Sequence, residues 1–143
     1  VMASFIRKFY EASINLLPSV TCWGTGRPLR EFLHVDDLGD AVVFALENWD
    51  PNSINAPKDK DNKQLILLNI GTGRDISIKE LALKISNMVG YEGKIIWDEN
   101  KPDGTPRKLL NVSKIKDLGW EPKISLDEGI KKTIESFKKE YNL

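Results

Sequence analysis

The run Lys101-Pro-Asp-Gly-Thr-Pro-Arg-Lys108 sets three cations and one carboxylate among two prolines and a glycine, with no large apolar side chain to anchor a core. Pro102 and Pro106 fix φ and bias the residues before them toward extended backbone, and Gly104 can turn at positive φ. Asp103, Arg107 and Lys108 are therefore held in a preset arrangement with little entropy left to lose on binding. Fixed cations beside one carboxylate suit a ligand that carries phosphate together with hydroxyl or base N–H donors. A solvated, proline-stiffened surface turn fits the same eight residues equally well.

Other residues with chemical potential are better read as structure. Gly71 and Gly73 begin a dinucleotide-like pattern, but position 76 is Ile where the third glycine would stand, so a tight turn is the better reading. Gly24 and Gly26 do not precede a helix and read as a turn between two strands. No Walker A run is present. His34, the one histidine, stands beside a helix start with no triad partner in sequence, and reads as a structural hydrogen-bonder. Cys22 next to Trp23 reads as core. Asp36 and Asp40 share a helical face and suit the N-terminal half of a helix without a metal.

The elements that must position the charged loop follow from periodicity. Met2, Phe5, Ile6, Phe9, Ala12 and Leu16 recur at helical spacing, and Pro18 ends that helix. Val20 to Trp23 and Arg30 to Leu33 read as short strands around the Gly24–Gly26 turn. Val35 to Asn48 reads as a helix with Asp36 and Asp37 at its positive end and with Leu38, Ala41, Val42, Ala45 and Leu46 inward. Residues 49–63 are polar with two prolines and read as an exposed, flexible loop. Leu65 to Ile70 reads as a buried strand. Ser77-Ile-Lys-Glu80 is a capping box opening a helix to about Val89, and Lys94 to Trp97 is a strand that leads into the charged loop. A short helix near Ser113 to Leu118 and a turn at Gly119–Pro122 precede a second capping box, Ser125–Glu128. The terminal helix then carries Leu126, Ile130, Ile134, Phe137 and Tyr141 on one face. The fold class is α/β, in one domain spanning residues 1–143.

Composition removes several functions. Lys plus Arg and Asp plus Glu each number 21 in 143 residues, so the net charge is zero and the electrostatic footprint of a nucleic-acid binder is missing. No apolar run is long enough to span a bilayer, and the chain opens with no signal-peptide pattern. A single cysteine permits no internal disulfide, and one His with one Cys makes no zinc cluster. A soluble cytoplasmic protein, with no membrane or nucleic-acid partner, is the expectation.

At Arg30-Glu-Phe-Leu-His-Val-Asp-Asp37, with Trp23-Gly-Thr-Gly-Arg-Pro-Leu-Arg30 before it and Leu68-Asn-Ile-Gly-Thr-Gly73 after it, the chain resembles the C-terminal part of extended short-chain dehydrogenase/reductases that act on nucleotide sugars. The charged loop, continued by Leu109-Leu110 and Leu118-Gly-Trp120, is similar to the GDP-L-fucose synthase family. That resemblance implies the small substrate-binding domain of an enzyme that epimerises GDP-4-keto-6-deoxy-D-mannose at C3 and C5 and reduces C4 with NADPH. The family's N-terminal Rossmann domain holds NADP and the catalytic Ser, Tyr and Lys, and a Cys and a His serve the epimerisations. None of these has a matching position here: no Tyr is followed by Lys four places on, and Cys22 is not the family's catalytic cysteine.

The chain is accordingly expected to be a fragment lacking its Rossmann partner, without cofactor and inactive alone. Its exposed interdomain face is expected to favour self-association. Substrate-binding positions implied by the resemblance are Lys8, Trp23, Arg30, Asp103 and Lys108, with a weaker claim for Arg107. Arg30 and Lys108 would neutralise a GDP diphosphate, Asp103 would accept from ribose or base donors, and Trp23 would offer a flat wall. Two other readings stay open. One is the substrate domain of another nucleotide-sugar epimerase or dehydratase; the other is a non-catalytic interaction module.

Overall fold

The computed structural model describes residues 1–141, which fold as two compact units. The first comprises Val1–Arg30, Asp75–Lys108 and the segment from Asp127; the second comprises Glu31–Arg74 and Leu109–Leu126.

The first unit is built on two parallel strands, β1 (Ser19–Trp23) and β4 (Lys94–Asp98), paired in register from Ser19↔Lys94 to Trp23↔Asp98. Helix α1 (Met2–Ile14) ends before Pro18 as its periodicity predicts, and it buries Phe5, Ile6, Phe9 and Ala12. Helix α3 (Ile78–Met88) starts at the expected capping box: Ser77 Oγ accepts from Glu80 N–H, and the Glu80 carboxylate accepts from Ser77 N–H. It buries Leu81, Ala82 and Ile85, and helix α5 (Leu126–Glu140) buries Ile130 and Ile134. The Phe9 ring lies 5.6 Å from Tyr91 and 5.8 Å from Phe5, while Tyr10 meets Phe137 of α5 edge-on at 5.7 Å. Tilted and edge-on rings satisfy the aromatic quadrupoles while excluding water.

A second small sheet has three strands, the earliest in the chain lying in the middle, and only that one falls where the sequence signals a strand. Its strands are β2 (Leu29–Glu31), β3 (Asp75–Ser77) and β5 (Arg107–Lys108). Parallel pairing of β2 with β5 sets Leu29 opposite Arg107 and Arg30 opposite Lys108.

The second unit packs helix α2 (Val35–Asn48) with the short α4 (Ser113–Asp117). Its core is Ala41, Val112, Ile115 and Trp120, with Leu33, Phe44 and Ile70 against it. Carboxylates brace this core. Asp37, only 3% exposed, accepts from the N–H groups of Lys123 and Ile124, and Asp40 accepts from the Trp120 indole and from Lys123 Nζ. The two acidic residues at the head of α2 were expected only to complement the helix dipole. Asp37 instead satisfies two backbone donors of the segment after Trp120.

Two expectations fail in this unit. Leu65–Ile70 is not a buried strand: it forms no ladder among the described residues, and Ile66 and Leu67 are 71% and 79% exposed. Its apolar composition marks a strand only where a neighbour supplies backbone partners. The inward face of α2 is also different. Ala41 and Asp37 are buried, whereas Leu38, Val42 and Leu46 are exposed, because the small core of this unit meets only one side of the helix. Residues 49–63 are largely exposed, as expected, and are organised by turns in which Asp50 and Asp59 side chains accept nearby backbone N–H groups. No described helix is long and apolar enough to cross a membrane.

Candidate functional site

The charged loop runs alongside the segment from Trp23 to Arg30, and a series of contacts joins them within the first unit. At the end of β4 the Asp98 carbonyl accepts from both Gly24 N–H (2.9 Å) and Lys101 N–H (3.1 Å), so one atom fixes where both segments leave the sheet. Gly24 and Gly26 take positive φ, as the turn reading requires. At Gly26 a Cβ would fall 2.8 Å from the Trp97 ring, so only glycine lets the turn pass. The turn is then pinned to the head of α3, where Gly26 and Pro28 carbonyls accept from Lys79 and Ile78 N–H.

Asp103 is the central tie. Its two oxygens accept from Thr25 N–H and from Thr25 Oγ1–H, both at 2.6 Å. The Thr25 hydroxyl, then its N–H, with help from the nearby Arg27 charge, holds the Asp103 carboxyl below the usual carboxylate range. Asp103 thus locks the Gly-Thr-Gly turn to the loop, and it is exposed enough to retain acceptor capacity. Farther along, Leu29 N–H donates to the Pro106 carbonyl at 2.8 Å, leading into the β2–β5 pairing. Gly104 turns at φ +74°, and a Cβ there would meet Arg30 Nη2 at 3.9 Å.

Arg30 and Lys108 are therefore brought together. As directly opposed residues of parallel strands they project from the same face of the sheet. The Arg30 guanidinium donates to the Leu29 carbonyl at 2.7 Å but has no ion-pair partner among the described residues, and neither has Lys108. The neighbouring Glu31 carboxylate accepts from backbone N–H groups instead. Arg107 alternates to the other face and is committed to Asp75 of β3, which accepts from its Nε and Nη2.

Trp23 is 68% exposed and so is not core. Lys101 Nζ lies 5.4 Å from the centre of its ring, a cation over a π face. Lys8 sits apart from the Arg30–Lys108 pair in its contacts: its Nζ donates to the Thr21 carbonyl of β1 at 3.3 Å. Cys22 is buried, and burial pushes its thiol up, which disfavours the nucleophilic thiolate. His34 caps α2, its Nδ1 accepting from Asp36 N–H at 3.2 Å, which is the structural role its position predicts.

Sequence reading missed Glu31. Its carboxylate accepts from Gly73 N–H (2.6 Å) and Leu110 N–H (2.9 Å), and the Thr72 hydroxyl lies 3.3 Å from it while also 3.1 Å from the Arg74 carbonyl. It lies within the Arg-Glu-Phe run, but nothing in that spacing says which distant amides it gathers. The Gly71–Gly73 turn consequently does not fit a dinucleotide pyrophosphate: a carboxylate already occupies its N–H, and the strand β3 follows it rather than a helix start. No group of His, Cys, Asp and Glu among the described residues could hold a metal.

Residues 1–56 match the NAD dependent epimerase/dehydratase family model. The chain is 46% identical over 138 residues to a probable GDP-L-fucose synthase 1 of Oryza sativa subsp. japonica, covering 96% of this chain and 37% of that protein. Among solved structures it is similar to a GDP-6-OMe-4-keto-L-xylo-heptose reductase from C. jejuni. There the TM-score is 0.86 with 34% identity, over 97% of this chain and 47% of the other. A GDP-mannoheptose C4 reductase from Campylobacter jejuni, solved with NADP bound, has a TM-score of 0.80 and 36% identity, over 96% and 44% of the two chains. The chain resembles these enzymes over nearly all of its own length and spans less than half of theirs.

Proposed function

We propose that this chain, a relative of the GDP-L-fucose synthases and of a part of their length, binds the GDP-sugar substrate for such an enzyme. Residues 1–143 act as its nucleotide-sugar-binding part. NADP and the side chains that epimerise and reduce GDP-4-keto-6-deoxy-D-mannose belong to a Rossmann domain outside this sequence. The observation that carries this reading is the pair Arg30 and Lys108, opposed in register, on one face, and without ion pairs among the described residues. Two neighbouring cations without carboxylate partners leave their charge for an anion, and a diphosphate has the charge and the oxygens to take it. The exposed Trp23 ring supplies a wall for a sugar or base, and Asp103 has acceptor capacity left for a hydroxyl or base N–H. Lys8 contributes a further cation beside β1. A cytoplasmic setting suits the single buried thiol.

The test is titration calorimetry of GDP into the full-length protein. Arg30→Ala and Lys108→Ala should each weaken GDP by about tenfold or more, since each removes a charge-assisted contact. Unchanged affinity in both would overturn the reading, and a clear preference for UDP over GDP would move the chain to another class of nucleotide-sugar enzyme. A second reading has its own support: the two Campylobacter relatives are named for GDP-heptose chemistry, so the sugar handled could be a heptose while the nucleotide stays GDP. Turnover of each keto sugar by the full-length protein separates them. The chain alone should neither oxidise NADPH nor turn over either sugar.

A further inference from the structure

We infer that Glu31 is a positioning residue for nucleotide binding, fixing the register that brings Arg30 and Lys108 onto one ligand; this deepens the proposed GDP-sugar site and rests on it. Glu31 is the last residue of β2 and follows Arg30 directly. Its carboxylate accepts from Leu110 N–H at 2.9 Å, two residues past Lys108. The chain on either side of the cation pair is thereby tied at one anion, just beyond the short β2–β5 ladder. That ladder is only two residue pairs long, too short to specify its own alignment strongly. A slip of one residue would turn Lys108 to the opposite face and bring Arg107 in its place, a side chain already committed to Asp75. The same carboxylate takes Gly73 N–H at 2.6 Å, so backbone donors from two separate segments hold it still. The glycine at position 71 leaves room for it, because a Cβ there would fall 2.4 Å from Glu31 Oε1.

Glu31 is aimed at backbone donors and not at the ligand, so its effect on affinity must pass through Lys108. Glu31→Gln keeps the shape but turns one acceptor oxygen into an NH₂ that opposes the N–H of Gly73 or Leu110. Glu31→Asp keeps the charge but is one methylene too short to span both. The experiment is a double-mutant cycle in the full-length protein, read by GDP titration with thermal midpoints measured alongside. Glu31→Gln should weaken GDP about tenfold, as expected when a charge-assisted network is lost. Adding Lys108→Ala to Glu31→Gln should weaken it little further, since the second change removes a group already misplaced. Glu31→Asp should fall between wild type and Glu31→Gln.

Additive losses in the double variant, or wild-type GDP affinity in folded Glu31→Gln, would overturn the inference. So would failure of both Glu31 variants to fold, which would make the carboxylate structural. If Lys108→Ala by itself left GDP affinity unchanged, the binding reading would fail; if it weakened GDP while Glu31→Gln did not, only the positioning role would.

Discussion

The two units bury opposite things. In the first, α3 turns Leu81, Ala82 and Ile85 inward and α1 adds Phe5, Ile6 and Phe9, leaving cations and an indole outside. In the second, α2 buries Ala41 and a carboxylate, while Leu38, Val42 and Leu46 face outward with Ile66 and Leu67 exposed as well. Both helices are amphipathic by sequence. The difference lies in what each has to pack against. The first unit closes on its own core and leaves charged side chains at its surface. The second relies on Ala41, Val112, Ile115 and Trp120 and on hydrogen bonds to Asp37 and Asp40, and it leaves Leu38, Val42 and Leu46 of α2 exposed.

Four measurements would break or sharpen this contrast. The largest effect is expected in the closed unit: Phe9→Ala should cost about 3–5 kcal/mol in urea unfolding, because Phe9 is fully buried between two rings. A loss below about 1 kcal/mol would mean that this core is not tight. In the second unit the larger loss should come from a polar residue. Asp37→Ala should cost about 2–3 kcal/mol by stranding the N–H groups of Lys123 and Ile124. If it costs no more than a surface change, carboxylate bracing is the wrong account of that core.

A smaller effect concerns acid. The Thr25 contacts hold the Asp103 carboxyl low, and the Trp120 indole followed by Lys123 does the same for Asp40. A carboxyl depressed in the folded state adds stability above its unfolded pKa and loses it as pH falls through the folded value. Thermal midpoints should therefore drop below about pH 4, and Asp103→Asn should flatten part of that slope. An unchanged acid limb in Asp103→Asn would dissolve the tie between loop and turn. The smallest effect is Leu46→Lys: at 81% exposure it should shift unfolding by less than about 0.5 kcal/mol. A large loss of stability would show that this side of α2 is already covered.

Long elements with strong periodicity were readable directly. The spans of α1, α2 and α5, the Ser77–Glu80 capping box, and strands β1 and β4 follow from spacing, caps and proline stops that act within a few residues. The positive φ of Gly104 and the turn at Gly24 and Gly26 were readable for the same reason. Strands β3 and β5 were not, since two or three residues carry no alternation. Leu65–Ile70 misled because hydrophobicity reports a wish for burial and says nothing about whether a partner strand is present.

What the sequence determined by itself is local: the stiff charged loop, the helices with their caps, and, through its motifs, the resemblance to GDP-sugar enzymes. What only the tertiary structure decided is which of the loop's three cations stands where. Register on β2 sends Lys108 to the side of Arg30 and Arg107 to Asp75, while Asp103 and Glu31 accept hydrogen bonds from residues up to 79 positions away in sequence. Spacing along a chain can fix turns and faces within one element. It cannot fix which face of one strand meets which residue of another, because that depends on hydrogen bonds closed over the whole fold.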